Sequence, residues 1–228
     1  MERLNINLKK INIAVVGCGR ISKKHILAII NEYKRCHLVA ICDSNSKRMN
    51  DIYKFYRSQI QEKNLIFEGL KKYNSFNHLI DENINNQIHI DLIVLATPSG
   101  MHPNQTIAAA KAGINVCTEK PMALNQFDAE KMISICKQAN VKLFVVKQNR
   151  LNPTLQILKK KVEEKEFGNI AIVDINVFWQ RPQTYYDQDT WRGTKEFDGG
   201  ALLNQASHYV DLLEWIIGPL EGLFGTVS

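Results

Sequence analysis

The chain has 228 residues, of which 29 are Lys or Arg and 23 are Asp or Glu, so that its formal net charge is +6. Hydrophobic residues make up 45% and charged residues 23%, which excludes a disordered chain, a collagen and a coiled coil. The length exceeds one typical domain and falls short of two. We interpret it as one complete domain followed by an incomplete, C-terminally short second one.

Composition also limits location and partners. No apolar run approaches about 18 residues, and the N-terminus lacks a secretory signal, so we expect a cytoplasmic protein without a membrane span. The five cysteines form no C-x-x-C motif and do not cluster with histidines, which favours free thiols and no metal site. The basic residues are scattered, and the densest run, at residues 159–161, lies beside acidic residues, so no nucleic-acid partner is expected.

Strands and helices alternate over residues 1–150. Residues 11–16 predict a buried strand, followed by a glycine turn and a helix at residues 20–33. Later strands are predicted at residues 37–42, 65–67, 91–96, 115–118 and 142–146, and later helices after a Ser46 cap and at residues 78–84, 104–112 and 125–139. This alternation predicts an α/β fold, a Rossmann-type doubly wound parallel sheet.

The pattern changes in residues 151–228. A helix is predicted at residues 153–166, a strand with one covered face at residues 170–180, and a helix at residues 201–217 ended by Gly218-Pro219. The last residues, 222–228, have the composition of the start of another strand. These elements predict part of a second, mixed α and β domain.

The turn after the first predicted strand has the pattern of a dinucleotide site. In G-x-G-x-x-S, Gly17 allows the tight turn, Gly19 lets the backbone approach a pyrophosphate, and Ser22 stands where Gly or Ala is usual. Asp43 ends the next strand and can accept hydrogen bonds from ribose hydroxyls, while its charge repels a 2′-phosphate. The pattern therefore predicts NAD in preference to NADP.

Two further strand ends carry polar residues. Thr97-Pro98-Ser99 and His102 follow one strand, and Glu119-Lys120-Pro121 follow the next. Ligands of such sheets lie at the carboxyl ends of strands. Lys120 is thus placed to orient a substrate hydroxyl and help lower its pKa.

These motifs, together with the run Gly199-Gly200-Ala201-Leu202-Leu203-Asn204-Gln205-Ala206-Ser207-His208-Tyr209-Val210-Asp211, resemble the glucose–fructose oxidoreductase / inositol dehydrogenase (Gfo/Idh/MocA) family. The resemblance implies a Rossmann domain followed by an open, mostly antiparallel α+β sheet domain, which usually mediates homo-oligomerisation. It also implies that Lys120 contacts substrate and cofactor and that His208 is the acid/base. Asn204 stands where the family usually has Asp, so the acid/base role depends more on His208, and Asn204 orients a hydroxyl.

Further motifs resemble one group of family members, and they lie at residues 147–153, 179–182, 185–188, 191–194 and 204–208. These members oxidise the C3 hydroxyl of a UDP-linked N-acetylglucosaminuronic acid to a ketone with NAD, in lipopolysaccharide O-antigen sugar biosynthesis. The expected cofactor contacts are Gly17, Gly19, Arg20, Ile21, Asp43, Thr97, Pro98, Ser99, His102, Glu119, Lys120 and Gln148. The expected substrate contacts are Arg150, Arg181, Tyr185, Tyr186, Trp191, Arg192, Asn204, Gln205 and His208, with the arginines as bidentate donors for the sugar carboxylate and diphosphate.

Two alternatives remain open at this point. The first is an NAD(P)-dependent dehydrogenase of a free sugar or polyol, for which Arg181 and Arg192 would have no anion to bind. The second is an inactive, truncated NAD-binding fragment.

Overall fold

The computed structural model describes residues 9–222 and 224–226. The chain forms two compact units, Met1–Val145 and Val146–Ser228. Of the strand predicted at residues 222–228, positions 223, 227 and 228 lie outside the described residues, and the others form no strand.

The first unit is a parallel sheet of six strands with helices between them. In chain order its elements are β1 (Ile11–Val16), α1 (Ser22–Asn31), β2 (Cys36–Cys42), α2 (Ser46–Glu62), β3 (Lys71–Tyr73), α3 (Phe76–Ile84), β4 (Leu92–Leu95), α4 (His102–Lys111), β5 (Asn115–Thr118), α5 (Gln126–Gln138) and β6 (Leu143–Val145). The strand order is β3-β2-β1-β4-β5-β6, and every pair is parallel. This is the Rossmann order, in which the chain reverses direction across the sheet between β1 and β4. The predicted α/β fold is confirmed.

Successive apolar side chains along the strands point to opposite faces of the sheet, so both faces are covered by apolar clusters. In β1, Ile13 and Val15 belong to one buried cluster, and Ala14 and Val16 belong to another. A strand buried on both faces needs apolar side chains at successive positions, which is the pattern that predicted it. The two apolar layers fix the strands, and hence the loops at their carboxyl ends.

The third strand is not where the sequence predicted it. Residues 65–67 form no strand, and β3 lies at Lys71–Tyr73, paired with β2. Leu65 and Phe67 instead pack against the core from irregular backbone, so their apolar character reflects burial beneath a loop. The predicted cap of α2 is also wrong by one residue, because Asn45, and not Ser46, accepts hydrogen bonds from the first turn.

The regular elements of the second unit are helices in its described part. It contains α6 (Pro153–Glu163), α7 (Gln183–Tyr186), a π-helical segment (Ala201–Ala206) and α8 (Ser207–Ile217), the last two together replacing the single predicted helix. The strand predicted at residues 170–180 is wrong, since these residues pair with no other strand in the described part of the unit. A strand requires a neighbour for its N–H and C=O groups. Without one, side chains such as Ile172 and Phe178 are 86% and 90% exposed.

Candidate active site

The glycine turn lies directly after β1, against the end of β4. Gly17 has φ +93°, and a Cβ built there would lie 2.4 Å from the carbonyl oxygen of Ala96, so only glycine fits. At Gly19 an added Cβ would meet nothing within 4 Å, which leaves the space beside the turn open. Ser22 begins α1, is fully buried, and donates its hydroxyl to the carbonyl of Gly19 at 2.6 Å. The predicted small residue at this position is therefore part of the turn itself.

Asp43 connects the end of β2 to this turn. Its Oδ2 accepts from the backbone N–H of Cys18 at 2.7 Å, and its Oδ1 accepts from that of Asn45 at 2.7 Å. Each carboxylate oxygen has more than one acceptor direction, so these contacts orient the group and still allow it to accept from a ribose. Burial, and then the charge of Asp43, raise the pKa of Cys18 to about 12, so this thiol stays neutral.

His102, at the start of α4, is fully buried and joins two loops at the carboxyl edge of the sheet. Its Nδ1 lies 2.9 Å from the carbonyl oxygen of Pro121, and its Nε2 lies 2.9 Å from that of Thr97. Burial lowers its pKa more than these carbonyls and Glu119 raise it. His102 was predicted to contact the cofactor. In the structure both of its ring nitrogens face backbone carbonyls, so the side chain holds the Thr97 loop beside the Lys120 loop.

Glu119 and Lys120 follow β5 at the same edge. The carboxylate of Glu119 accepts from Nε2 of His25 in α1 at 2.8 Å and from the backbone N–H of Lys120 at 3.3 Å. Burial would raise the pKa of Glu119, but the hydrogen bonds and charges of His25 and Lys120 together outweigh it, so the pKa is lowered. Glu119 therefore ties the Lys120 backbone to α1.

The remaining predicted cofactor residues of this unit flank these groups. Arg20 and Ile21 are exposed in the turn before α1. Thr97 donates to Oε1 of Gln105 at 2.6 Å, Pro98 is partly exposed, and Ser99 is buried at the first position of a short 3₁₀ turn.

In the second unit, His208 and Asn204 are both buried, each 8% exposed. The Nε2 of Gln148, a predicted cofactor contact, lies 3.4 Å from Nε2 of His208. Because an amide nitrogen only donates, Nε2 of His208 accepts in this contact when the ring is the tautomer with its proton on Nδ1. The amide of Asn204 donates to Oδ1 of Asp198, a carboxylate that is 4% exposed. The unit thus contains a buried imidazole and a buried amide that is held by a carboxylate.

The three predicted anion-binding arginines have different partners. Arg150 forms a two-point ion pair with Asp211, at 2.9 and 2.7 Å. The Nε of Arg192 pairs with Asp189 at 3.1 Å. Arg181 donates to Oε1 of Gln205 at 3.0 Å, and this partner is neutral. Of the three arginines, Arg181 is therefore the one whose hydrogen-bond partner does not neutralise its charge.

The predicted aromatic residues gather around Arg181 and Arg192. Both guanidinium groups lie over the ring of Tyr185, at 5.1 and 4.6 Å from its centroid, and Arg192 also lies over Trp191 at 4.8 Å. Tyr185 contacts Tyr186 edge to face at 5.1 Å and accepts from Nε2 of Gln205 at 3.1 Å. Such flat rings and cations suit stacking against a sugar or base.

The first unit fits the predicted dinucleotide. The space beside Gly19 is open at the N-terminus of a ten-residue helix, which favours a phosphate, and Asp43 stands one strand away for a ribose.

Sequence reasoning missed the roles of two acids. Asp198 binds Asn204, and Asp211 binds Arg150. Asp211 stands within the H-x-x-D pattern, three residues after His208 and so on the same helix face, which is a signal that could have found it. Asp198 precedes the Gly199-Gly200 pair without a comparable signal.

Two family models match the chain. Residues 11–147 match the oxidoreductase family with an NAD-binding Rossmann fold of the GFO/IDH/MocA proteins, and residues 155–228 match the GFO/IDH/MocA C-terminal domain. The first match confirms the predicted Rossmann fold and the predicted NAD cofactor.

Solved structures of WlbA dehydrogenases are similar to this chain. The Bordetella pertussis protein, in complex with NADH and UDP-GlcNAcA, is 48% identical with a TM-score of 0.80, covering 92% of this chain and 59% of that one. The Chromobacterium violaceum protein, in the same complex, is 44% identical with a TM-score of 0.80, covering 94% and 57%. Among curated relatives, the oxidoreductase P35 of Formosa agariphila is 24% identical over 217 residues, covering 94% of this chain and 63% of its own length. The chain therefore spans less than two thirds of these relatives.

Proposed function

The chain belongs to the Gfo/Idh/MocA oxidoreductase family, and on that premise we propose that it oxidises the C3 hydroxyl of a UDP-linked N-acetylglucosaminuronic acid to the 3-keto sugar with NAD. The observation that carries the proposal is the identity of 44–48% to two dehydrogenases whose structures contain NADH and UDP-GlcNAcA. Other sugar dehydrogenases, such as the levoglucosan dehydrogenase of Pseudarthrobacter phenanthrenivorans, are only 28% identical over 140 residues.

The proposed acid/base is His208. Its Nε2 has a single lone pair, so it can take the hydroxyl proton of the substrate when that hydroxyl replaces the 3.4 Å contact with Gln148. Lys120 donates a hydrogen bond to that hydroxyl oxygen and lowers its pKa through its positive charge. Asn204 orients the hydroxyl. When bound, NAD supplies the acceptor for the hydride that leaves C3.

An anionic substrate is supported by the charge of Arg181. Because Arg150 and Arg192 are paired with carboxylates, Arg181 is the arginine of the three best suited to the carboxylate or diphosphate. Tyr185 and Trp191 offer the neighbouring surface for stacking.

The proposal implies a cytoplasmic enzyme of surface-polysaccharide biosynthesis, with the homo-oligomeric assembly usual for the family. No helix in the described ranges is long and apolar enough to cross a membrane.

The test incubates the full chain with NAD and, separately, UDP-GlcNAcA, UDP-GlcNAc or myo-inositol. We expect NADH absorbance, or a 3-keto product where the reduced cofactor stays bound, with UDP-GlcNAcA alone. Turnover of myo-inositol in preference would favour the free-polyol alternative. A folded sample that binds NAD and oxidises none of the three would contradict the proposal and favour an inactive fragment.

A further inference from the structure

We infer that Asp198 is a positioning residue, which fixes the orientation of the Asn204 amide and so directs its carbonyl oxygen away from Asp198 and toward the substrate hydroxyl. The catalytic part of this inference rests on the proposed function, whereas the contact itself does not.

Asp198 is buried, and both of its carboxylate oxygens accept hydrogen bonds. The side chain is 4% exposed, its Oδ2 accepts from the backbone N–H of Gly193 at 2.9 Å, and its Oδ1 accepts from Nδ2 of Asn204. The backbone N–H of Asp198 donates to the carbonyl of Thr194 at 3.0 Å, which closes the turn beneath the carboxylate. A buried carboxylate needs such donors, because an unpaired charge is costly away from water.

The chemistry of this contact assigns the amide. An ionised carboxylate only accepts, so Asn204 must present its nitrogen to Asp198, and its oxygen is the atom at the opposite end of the same planar group. The amide oxygen of Asn204 is therefore the acceptor that this side chain can offer to a substrate hydroxyl.

This arrangement makes a carboxylate at position 204 unfavourable in this chain. Asn204→Asp places two buried carboxylates in contact, and such pairs hold one proton between them because both cannot ionise. The shared proton raises the pKa of the pair, so the folded state loses stability as the pH rises through that pKa. Asp198→Asn together with Asn204→Asp reverses donor and acceptor and restores one charge, and the amide at position 198 can still accept from Gly193.

The experiment compares four full-length proteins: wild type, Asn204→Asp, the double variant and the exposed control Asp174→Asn. Melting temperatures are measured from about pH 5 to about pH 8, across which a shared-proton carboxylate pair loses its proton. We expect Asn204→Asp alone to lose stability relative to wild type as the pH rises, and the double variant to recover the wild-type profile. An Asn204→Asp profile parallel to wild type, or a double variant no better than the single one, would overturn the inference.

Kinetics with UDP-GlcNAcA and NAD separate positioning from general structure. Asp198→Asn alone keeps the shape of the side chain but lets the amide of Asn204 turn, so we expect kcat to fall about tenfold or more, as for a misplaced catalytic group, with KM nearly unchanged. We expect the double variant to regain most of that loss. An unchanged kcat in Asp198→Asn would overturn the positioning role. If wild type itself oxidises no sugar, the proposed function fails, and the melting profiles alone decide whether Asp198 holds Asn204.

Discussion

Arg150 binds Asp211 through two hydrogen bonds, Nε to Oδ2 at 2.9 Å and Nη2 to Oδ1 at 2.7 Å. Lys147 adds a third contact to the same carboxylate at 3.3 Å. Burial would raise the pKa of Asp211, but the hydrogen bonds and charges of Arg150 and Lys147 lower it. Since Asp211 is on α8 one turn beyond His208, the pair fastens the segment that carries Gln148 to the helix that carries the proposed base.

We therefore expect Arg150→Met to lower the stability of the folded protein. Because Arg150 is 39% exposed and Lys147 still contacts Asp211 in the variant, we expect a loss of about 1 kcal/mol in the free energy of unfolding. Urea unfolding of Arg150→Met and of the control Arg181→Met measures the difference. Equal stability of the two variants would return Arg150 to its predicted role as a substrate contact.

Alanine substitution of the two turn glycines should have two different effects, a loss of stability at Gly17 and a loss of NADH affinity at Gly19. Gly17→Ala places a Cβ 2.4 Å from the Ala96 carbonyl at φ +93°, so we expect a loss of stability of about 2 kcal/mol or more, or no folded protein. Gly19→Ala meets no atom within 4 Å and should fold normally. Its methyl group enters the space proposed for the pyrophosphate, so NADH affinity should fall at least about tenfold, or 1.4 kcal/mol. Melting temperature and NADH fluorescence titration distinguish the two, and a Gly19→Ala variant with wild-type affinity would contradict this account of the turn.

The buried His102 should make the stability of the fold sensitive to acid. Because burial lowers its pKa, the folded chain takes up the proton less readily than the unfolded chain, whose histidine pKa is about 6.5. The stability that the neutral ring supplies is thus present above about pH 6.5 and lost as the pH falls toward the folded-state pKa.

Melting temperatures at pH 5 and pH 8 check this expectation. We expect His102→Gln to reduce the difference between the two values, with His37, whose pKa is also lowered by burial, supplying part of the remainder. The exposed control His89→Gln should keep the wild-type difference. An unchanged difference in His102→Gln would show that the buried ring is not responsible.

Lys120→Ala should abolish turnover while leaving NAD binding largely intact. Removing a group that assists proton transfer costs about 10²- to 10⁴-fold in rate, whereas the glycine turn and Asp43, which we propose bind the dinucleotide, are unchanged. Single-turnover assays with NADH titration measure both quantities, with the exposed Lys111→Ala as control. Loss of NADH affinity equal to the loss of rate would make Lys120 a cofactor-binding residue only.

The strands buried on both faces and the glycine turn were predictable, because continuous apolar runs and a helix after G-x-G are compatible with few structures besides a covered parallel sheet. The position of β3 was not predictable, since its Lys-Lys-Tyr sequence has no apolar pattern typical of a buried strand. This strand is held by pairing with Ala40–Cys42. The strand predicted at residues 170–180 has the right alternation but no neighbouring strand among the described residues. At the candidate site, residue types could be predicted, whereas the partners of Arg150 and Asn204 depend on Asp211 and Asp198, whose contacts arise only when the chain folds.

The most direct test of the proposed reaction follows the hydrogen at C3. The full chain is incubated with NAD and UDP-GlcNAcA carrying deuterium at C3, the protein is denatured, and the released NADH is analysed by mass spectrometry, so that a retained cofactor is also seen. We expect NADH heavier by one mass unit, together with a 3-keto sugar. Unlabelled NADH, or a labelled sugar recovered unchanged from folded, NAD-binding protein, would contradict it.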